Sequence, residues 1–241
     1  RSTRMLERVM VVGSGDAAES VPGSATYIGE EELDKHEYSD VNRILQQVPG
    51  IYLQEEDGYG LRPNIGMRGT GVSRSSRITL MEDGVLVAPA PYAAPAAYYF
   101  PSVGRMSGVE VRKGSSSIKY GPNTTGGALN LLSTSIPSEF AGHLEVASGD
   151  DATRRVHAHI GDSGERAGFM LETFQYETDG FKQLDSGGNT GFDTTDYVGK
   201  FRVNTAPTAS VYQELELKIG DYAQTSHETY LGLTDDDFDA D

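Results

Sequence analysis

Three groups of residues have types and spacings that could do chemistry. The run Val9–Val12 leads into Gly13-Ser14-Gly15, with Ala18 three residues on. This is the spacing of a dinucleotide fingerprint, whose glycines let a pyrophosphate approach a helix N-terminus, and Glu32 stands where an acidic ribose partner is expected. That chemistry needs a helix directly after the glycines, but Val21-Pro22-Gly23 interrupts within two turns. A dinucleotide-binding enzyme using Gly13-x-Gly15 is therefore the weaker, alternative reading. At the other end Asp235, Asp237, Asp239 and Asp241 alternate as calcium ligands do. The register supplies neither the loop glycine nor the closing bidentate Glu, so a solvated acidic loop is expected. His36, His143, His157, His159 and His227 lack helical metal-ligand spacing. His157 and His159 share a strand face but need a third ligand from elsewhere, so no metal site is expected. No nucleophile elbow or nucleophile–base pair occurs, and neither an enzyme nor a cofactor is expected.

Composition narrows the partners. The 241 residues include 36 acidic and 20 basic side chains and no Cys, for a net charge of −16. Disulfides and thiolate metal sites are excluded, and nucleic acid, which requires a basic footprint, is not an expected partner. The charge is uneven: residues 1–135 carry 13 Lys/Arg against 15 Asp/Glu, and residues 136–241 carry 7 against 21. Such a step places a domain boundary near 135. The N-terminus has no apolar signal core. The longest uncharged stretch, Val85 to Phe100, is too short to span a bilayer as a helix and is broken by Pro89, Pro91 and Pro95. Barrel strands leave a weaker signature and remain open.

The elements that must position any site differ between the halves. Asp40 is placed to cap a helix carrying Val41, Ile44, Leu45 and Val48 on one stripe, stopped by Pro49-Gly50. Strands are expected at Val9–Val12, Ala25–Ile28, Ile51–Gln54, Ile78–Met81, Val85–Val87, Val109–Arg112 and Ala128–Leu132, with Asp83-Gly84 as a hairpin turn. After residue 136 the pattern becomes period-2. Leu144 and Val146 alternate with His143 and Glu145, and Val156, Ala158 and Ile160 with Arg155, His157 and His159. Tyr197, Phe201 and Val203 oppose Lys200 and Arg202, and Leu215, Leu217 and Ile219 oppose Glu214, Glu216 and Lys218. Residues 169–176 look strand-like but alternate poorly. Such strands fit a soluble antiparallel sheet or the start of a membrane barrel equally well. Glu7, Arg8, Val9, Met10, Val11 and Val12 form an extended run that could be a first strand or an edge offered to a partner.

Several collinear segments resemble the TonB-dependent outer-membrane receptors. LERVMVVGSG resembles a TonB box, DVNRILQQVPGIYL the helix-to-strand passage of the plug, and NIGMRGTG its "I-R-G" strand and loop. ITLMEDGVLV resembles the "L-x-D-G" hairpin, and SGVEVRKGSSSIKYGPNTTGGALNLLS the closing plug segment with its Tyr-Gly and Gly-Gly pairs. The resemblance implies an α+β plug, a small mixed sheet with short helices, followed by the first antiparallel strands of a barrel of about 22 strands. It implies a box and linker over 1–15, a plug over 16–135 and an incomplete barrel over 136–241, where the remaining length holds about five strands. With six residues ahead of Glu7, no further N-terminal signalling domain is expected.

By the same resemblance, the function is uptake of a ferric siderophore or ferric citrate-like chelate across the outer membrane of a Gram-negative cell. The chain is expected to be a monomer among outer-membrane lipid, with its N-terminus in the periplasm and TonB pulling on Glu7–Val12. A receptor-like binding or signalling module without transport is the alternative. Iron enters only as part of the chelate. APYAAP and SHETYLGLTDDDF resemble the ferric dicitrate branch, departing at Ala93-Ala94, where those receptors carry Gly-Gln. Ligand contacts are expected from Arg62, Asn64, Thr70, Ser73, Arg74 and Tyr92, since a guanidinium fork suits carboxylate. Arg68, Gly69, Asp83, Gly84, Tyr120, Gly121, Gly126 and Gly127 are expected to be structural. Arg68 is expected to be buried in its strand against a carboxylate of the barrel, and the glycine pair to allow close contact with the barrel wall.

Overall fold

Two separate five-stranded sheets account for most of the chain, one compact and mixed, the other a plain antiparallel meander. The computed structural model describes residues 12, 14, 18, 23–87, 94, 96, 98–121, 123–185 and 187–227. Among these, no helix is long and apolar enough to cross a membrane, which leaves strands out of account.

The first sheet has the order β1-β6-β7-β4-β5, from β1 (Ser24–Gly29), β4 (Ile78–Glu82), β5 (Val85–Leu86), β6 (Met106–Lys113) and β7 (Gly127–Ser133). β7 runs antiparallel to β6 and parallel to β4. Between β4 and β5 the chain reverses at Asp83 and Gly84, both with positive φ (50° and 79°), as a primed hairpin turn requires. β2 (Ile51–Gln54) and β3 (Asn64–Met67) form a separate hairpin. Two short helices, α1 (Glu30–Asp34) and α2 (Val41–Leu45), lie between β1 and β2.

The Asp40 side chain accepts the Asn42 amide at 2.8 Å and caps α2 as its position predicts. Val41, Ile44, Leu45 and Val48 are buried and pack with Ile28, Ile65, Ile78, Val109 and Leu129 in one core. Every strand expected between residues 25 and 132 is present, β6 and β7 each longer than their apolar runs. Val9–Val11 lie outside the described residues, and Val12 sits in a bend. Val12 is buried against Met81 and Ala128.

The second sheet runs β8-β9-β10-β11-β12 in chain order: β8 (Ala141–Ser148), β9 (Arg154–Ser163), β10 (Ala167–Thr178), β11 (Phe192–Asn204) and β12 (Glu214–Ser226). Its faces are inverted relative to a soluble sheet. Leu144, Val146, Phe201, Val203, Leu215, Leu217 and Ile219 are exposed, whereas Arg202 is buried and Lys200, Asp196 and Glu172 are buried against the first unit. Apolar-out, charged-in alternation is the pattern of a membrane barrel wall. β10 alternates poorly because apolar and polar residues stand on both of its faces. Phe169 and Leu171 point outward, while Met170 and Phe174 are buried on the inner side.

Candidate functional site

The strongest constellation joins the two sheets. Arg105 ends the short helical turn Val103–Arg105 that feeds β6, and only 3% of its surface is exposed. Its Nη1 and Nη2 donate to the two Glu82 oxygens at 2.9 and 3.1 Å, and its Nε donates to Asp196 of β11 at 2.6 Å. Lys218 of β12 donates to Glu82 at 2.5 Å and to Asp83 at 2.7 Å, and Lys200 of β11 lies 3.4 Å from Asp83. Three cations and three carboxylates thus cancel, each sheet answering the charges of the other. The Asp83 carboxylate also accepts the Ser133 amide and hydroxyl, so the hairpin turn serves as the anchoring point.

The charges set the ionisation of the cluster. Burial alone would raise Glu82 above its ordinary 4.5, but Arg105 and then Lys218 outweigh it and hold the carboxyl below that value. Burial likewise opposes ionisation of Asp83, and Lys200 and Lys218 overcome it to hold the group well below 3.8. On Arg105 burial acts to lower the pKa, and Glu82 and Asp196 more than reverse it. Two depressed carboxylates contribute stability that is complete above their unfolded pKa values and is lost as pH falls through the folded ones. Unfolding of the full-length protein should therefore be insensitive to this pair from neutral pH down to about pH 5. Below about pH 4 it should ease steeply, and Asp83→Asn should flatten that acid limb.

Further contacts close the seam. Arg155 of β9 donates to the Glu37 carbonyl at 2.7 Å and the Ser39 hydroxyl at 2.8 Å, and pairs with Glu145. The Thr134 hydroxyl donates to Glu172 at 2.6 Å. Tyr59 packs its ring on Phe181 and Phe192 and accepts the Phe181 amide at 3.1 Å. The second sheet also packs tightly over Gly104, where an added Cβ would fall 2.5 Å from the Phe174 ring. Gly126 and Gly127 were expected to do this. Their close neighbours are instead Thr70, the Arg77 and Arg112 carbonyls and Met67, all of the first unit.

The residues expected to meet a ligand do not form one surface. The β2–β3 hairpin separates them: Arg62, Asn64, Ser73 and Arg74 lie at its Gln54/Asn64 end, while Thr70 lies beyond Met67 at the other, beside Arg68 and Gly69 of the expected structural group. Asn64 is 2% exposed and holds the backbone, accepting the Arg74 amide at 2.8 Å and donating to the Gln54 carbonyl at 3.3 Å. The Thr70 hydroxyl closes a turn on Met67. Arg68 is exposed, past the strand end, with φ 53°, rather than buried in it. Burying it would place it where the Met67 turn must reverse the chain. Arg74 is half-occupied by Glu56 at 2.8 Å, Ser73 is exposed, and Tyr92 lies outside the described residues.

The structural group is placed more simply. The Tyr120 hydroxyl accepts from Arg112 at 3.2 Å, and Gly121 (φ 120°) turns the chain after it. Of the N-terminal run only Val12 is described, and its amide donates to the buried Glu110 at 3.0 Å. Val12 therefore belongs to the core rather than to a free edge. Gly13 and Gly15 are outside the described residues, and no strand leads into them at Val12. Ser75, wholly buried, was not singled out. Its hydroxyl accepts the Ile65 amide and donates to the Pro63 carbonyl, a role visible only once the β3 loop is folded.

The family description TonB-dependent Receptor Plug Domain matches residues 17–128. Over 177 residues the chain is 26% identical to the vitamin B12 transporter BtuB of Vibrio vulnificus, covering 72% of this chain and 28% of that protein. Over 185 residues it is 26% identical to the vitamin B12 transporter of Photobacterium profundum, covering 70% and 30%. It thus spans less than a third of the length of these relatives. The unliganded ferric citrate transporter FecA shares its fold with a TM-score of 0.71 at 23% identity, over 95% of this chain and 35% of that one. The ferric yersiniabactin uptake receptor of Yersinia pestis gives 0.69 at 17% identity, over 86% and 32%. With the motifs, the inverted second sheet and the charge-matched seam in place, residues 17–128 are a plug domain of the TonB-dependent receptor type, and the antiparallel strands that follow resemble the start of such a receptor's barrel.

Proposed function

We propose that the chain supplies the plug and first wall strands of an outer-membrane receptor that imports a metal chelate, energised by TonB through the N-terminal run. The observation that carries this reading is the sheet of residues 141–226, apolar outside and bound inside to the plug by the Arg105 cluster. A soluble binding module has no use for such a face. Because the Val12 amide is held by Glu110, the residues available to TonB are Glu7–Val11.

The cargo is an anionic ferric chelate, approached at the Gln54/Asn64 end of the β2–β3 hairpin. Arg62 is the principal contact there, because its guanidinium meets the Leu61 carbonyl and the Tyr222 hydroxyl but carries no ion pair among the described residues, whereas Arg74 already faces Glu56. Losing one charge-assisted contact costs about 1.5–3 kcal/mol, roughly ten- to a hundred-fold in affinity. Calorimetric titration of the full-length receptor with a panel of ferric chelates should show that loss for Arg62→Ala and a smaller one for Arg74→Ala. The similarity to vitamin B12 transporters supports a second reading, and cyanocobalamin belongs in the panel. Uptake of cyanocobalamin without any ferric chelate would replace iron by cobalamin. Unchanged affinity in both arginine variants would move recognition to the wall loops.

A further inference from the structure

The inner face of the β8–β9 pair carries a block of imidazoles and carboxylates that the seam does not use up. In the antiparallel register His143 stands opposite His159, and Glu145 opposite His157. Because residues two apart share a strand face, all four side chains project to the plug side. The rings of His143 and His159 stack at 5.4 Å, and those of His143 and His157 lie 5.3 Å apart. Potential ligand atoms of His143, Glu145 and His157 fall within 4.8 Å of one another. Tetrahedral zinc with bonds of about 2.0–2.1 Å needs ligand atoms roughly 3.4 Å apart, a difference that side-chain rotation can close.

Two further observations point to a cation. His157 Nε2 lies 3.0 Å from Glu172 Oε1, leaving Nδ1 as the ring nitrogen for a metal. A carboxylate behind a ligating imidazole is the usual orienting arrangement of metal sites. The other oxygen of that nearly inaccessible carboxylate, Oε2, has no hydrogen-bond partner. The block also opens on a cavity of about 290 Å³ whose plug side carries Glu30, Asp34 and Glu37. Arg155 is the opposing charge, but it has Glu37, its carbonyl and Ser39 as partners besides Glu145. It can therefore yield a Glu145 oxygen.

The geometry points to a divalent transition-metal site of the zinc class on the inner face of β8–β9, with His143, Glu145 and His157 as ligands and Glu172 orienting His157. Two imidazoles with one carboxylate favour Zn²⁺ over the oxygen-seeking Ca²⁺ and Mg²⁺. This site lies at the plug–wall seam, away from the Gln54/Asn64 end of the β2–β3 hairpin, and is distinct from any transported metal. Bound there, the cation would face the acidic side of α1 and tie the first wall strands to the plug.

The test is calorimetric titration of the full-length receptor, purified without a histidine tag, with ZnCl₂ alone. Co²⁺ absorption reports the ligand geometry, and thermal unfolding reports the fold. One Zn²⁺ per chain is expected, with a rise in Tm that Mg²⁺ does not produce. His143→Ala and Glu145→Gln should each weaken Zn²⁺ at least tenfold and abolish the Tm rise; His143→Ala should keep the metal-free Tm, whereas Glu145→Gln should lower it somewhat through the lost Arg155 ion pair. Glu172→Gln should weaken it roughly ten- to a hundred-fold, and His227→Ala should change nothing. No saturable Zn²⁺ binding, or binding unchanged in the His143→Ala and Glu145→Gln proteins, overturns the proposal.

Discussion

Arg105→Ala is expected to lower the stability of the full-length receptor by about 3–5 kcal/mol, the range for breaking a buried ion pair from one side. The substitution removes the bidentate partner of Glu82 and the Nε partner of Asp196, leaving two carboxylates that are only 7% and 2% exposed. Lys218 still reaches Glu82, which bounds the loss, whereas Asp196 loses its ion pair with Arg105. Arg105→Lys keeps the charge without the planar fork and should fall between the two. Denaturant unfolding in detergent, read by intrinsic fluorescence and by protease access to the plug, measures both. A loss under about 1 kcal/mol would mean that the cluster behaves as a solvated surface pair.

How much of this was visible in the sequence depends on how local each cause is. The Val41, Ile44, Leu45 and Val48 stripe, the Asp40 cap and the Asp83-Gly84 turn each rest on a few consecutive residues, and all are present. The wall strands were equally legible as alternation, but alternation alone does not say which face meets the core. That required seeing Leu215 and Leu217 exposed and Lys200 buried. Arg105 carried no signal, because Glu82 and Asp196 are distant in sequence and nothing in SVGRMSG marks it. Asn64 and Thr70 carried a misleading one. Their polar groups suggested ligand chemistry, but the tight β3 loop uses them to satisfy its own backbone. The histidines were legible as a shared face of β9, and only the β8–β9 register brings His143 and Glu145 to them.

Gly127→Val is the second large effect expected. A Cβ at this position would run into the Arg112 carbonyl and lie 2.6 Å from the Met67 sulfur. The first is backbone of the neighbouring strand and cannot rotate away. Gly127 also opens β7, where it pairs with Lys113 on one side and Ile78 on the other, so displacement disturbs both ladders. Overpacking of this kind costs about 1–3 kcal/mol, and more where backbone must move. At Gly71, where an added Cβ meets nothing within 4 Å, Ala should lie within about 0.5 kcal/mol of wild type. Comparing the two unfolding midpoints separates a packing requirement at Gly127 from a general sensitivity of glycine loops.

The strand order of the plug sheet also fixes when the sheet can form. β7 lies between β6 and β4, yet it is the last of the five strands in the chain. β4 has only the two residues of β5 to pair with until β7 arrives, and the β4–β7 pairing is parallel and non-local. Pairings of this kind require loop closure before any contact rewards it, which makes them slow. A chain emerging from its N-terminus therefore carries β1 and β4 as open edges through most of plug synthesis. Assembly becomes cooperative once Gly127–Ser133 is available, and an intermediate stalled before that point exposes the apolar strands most prone to aggregation. The glycine-rich passage before β7 thus governs the timing of folding as well as the shape of the finished plug.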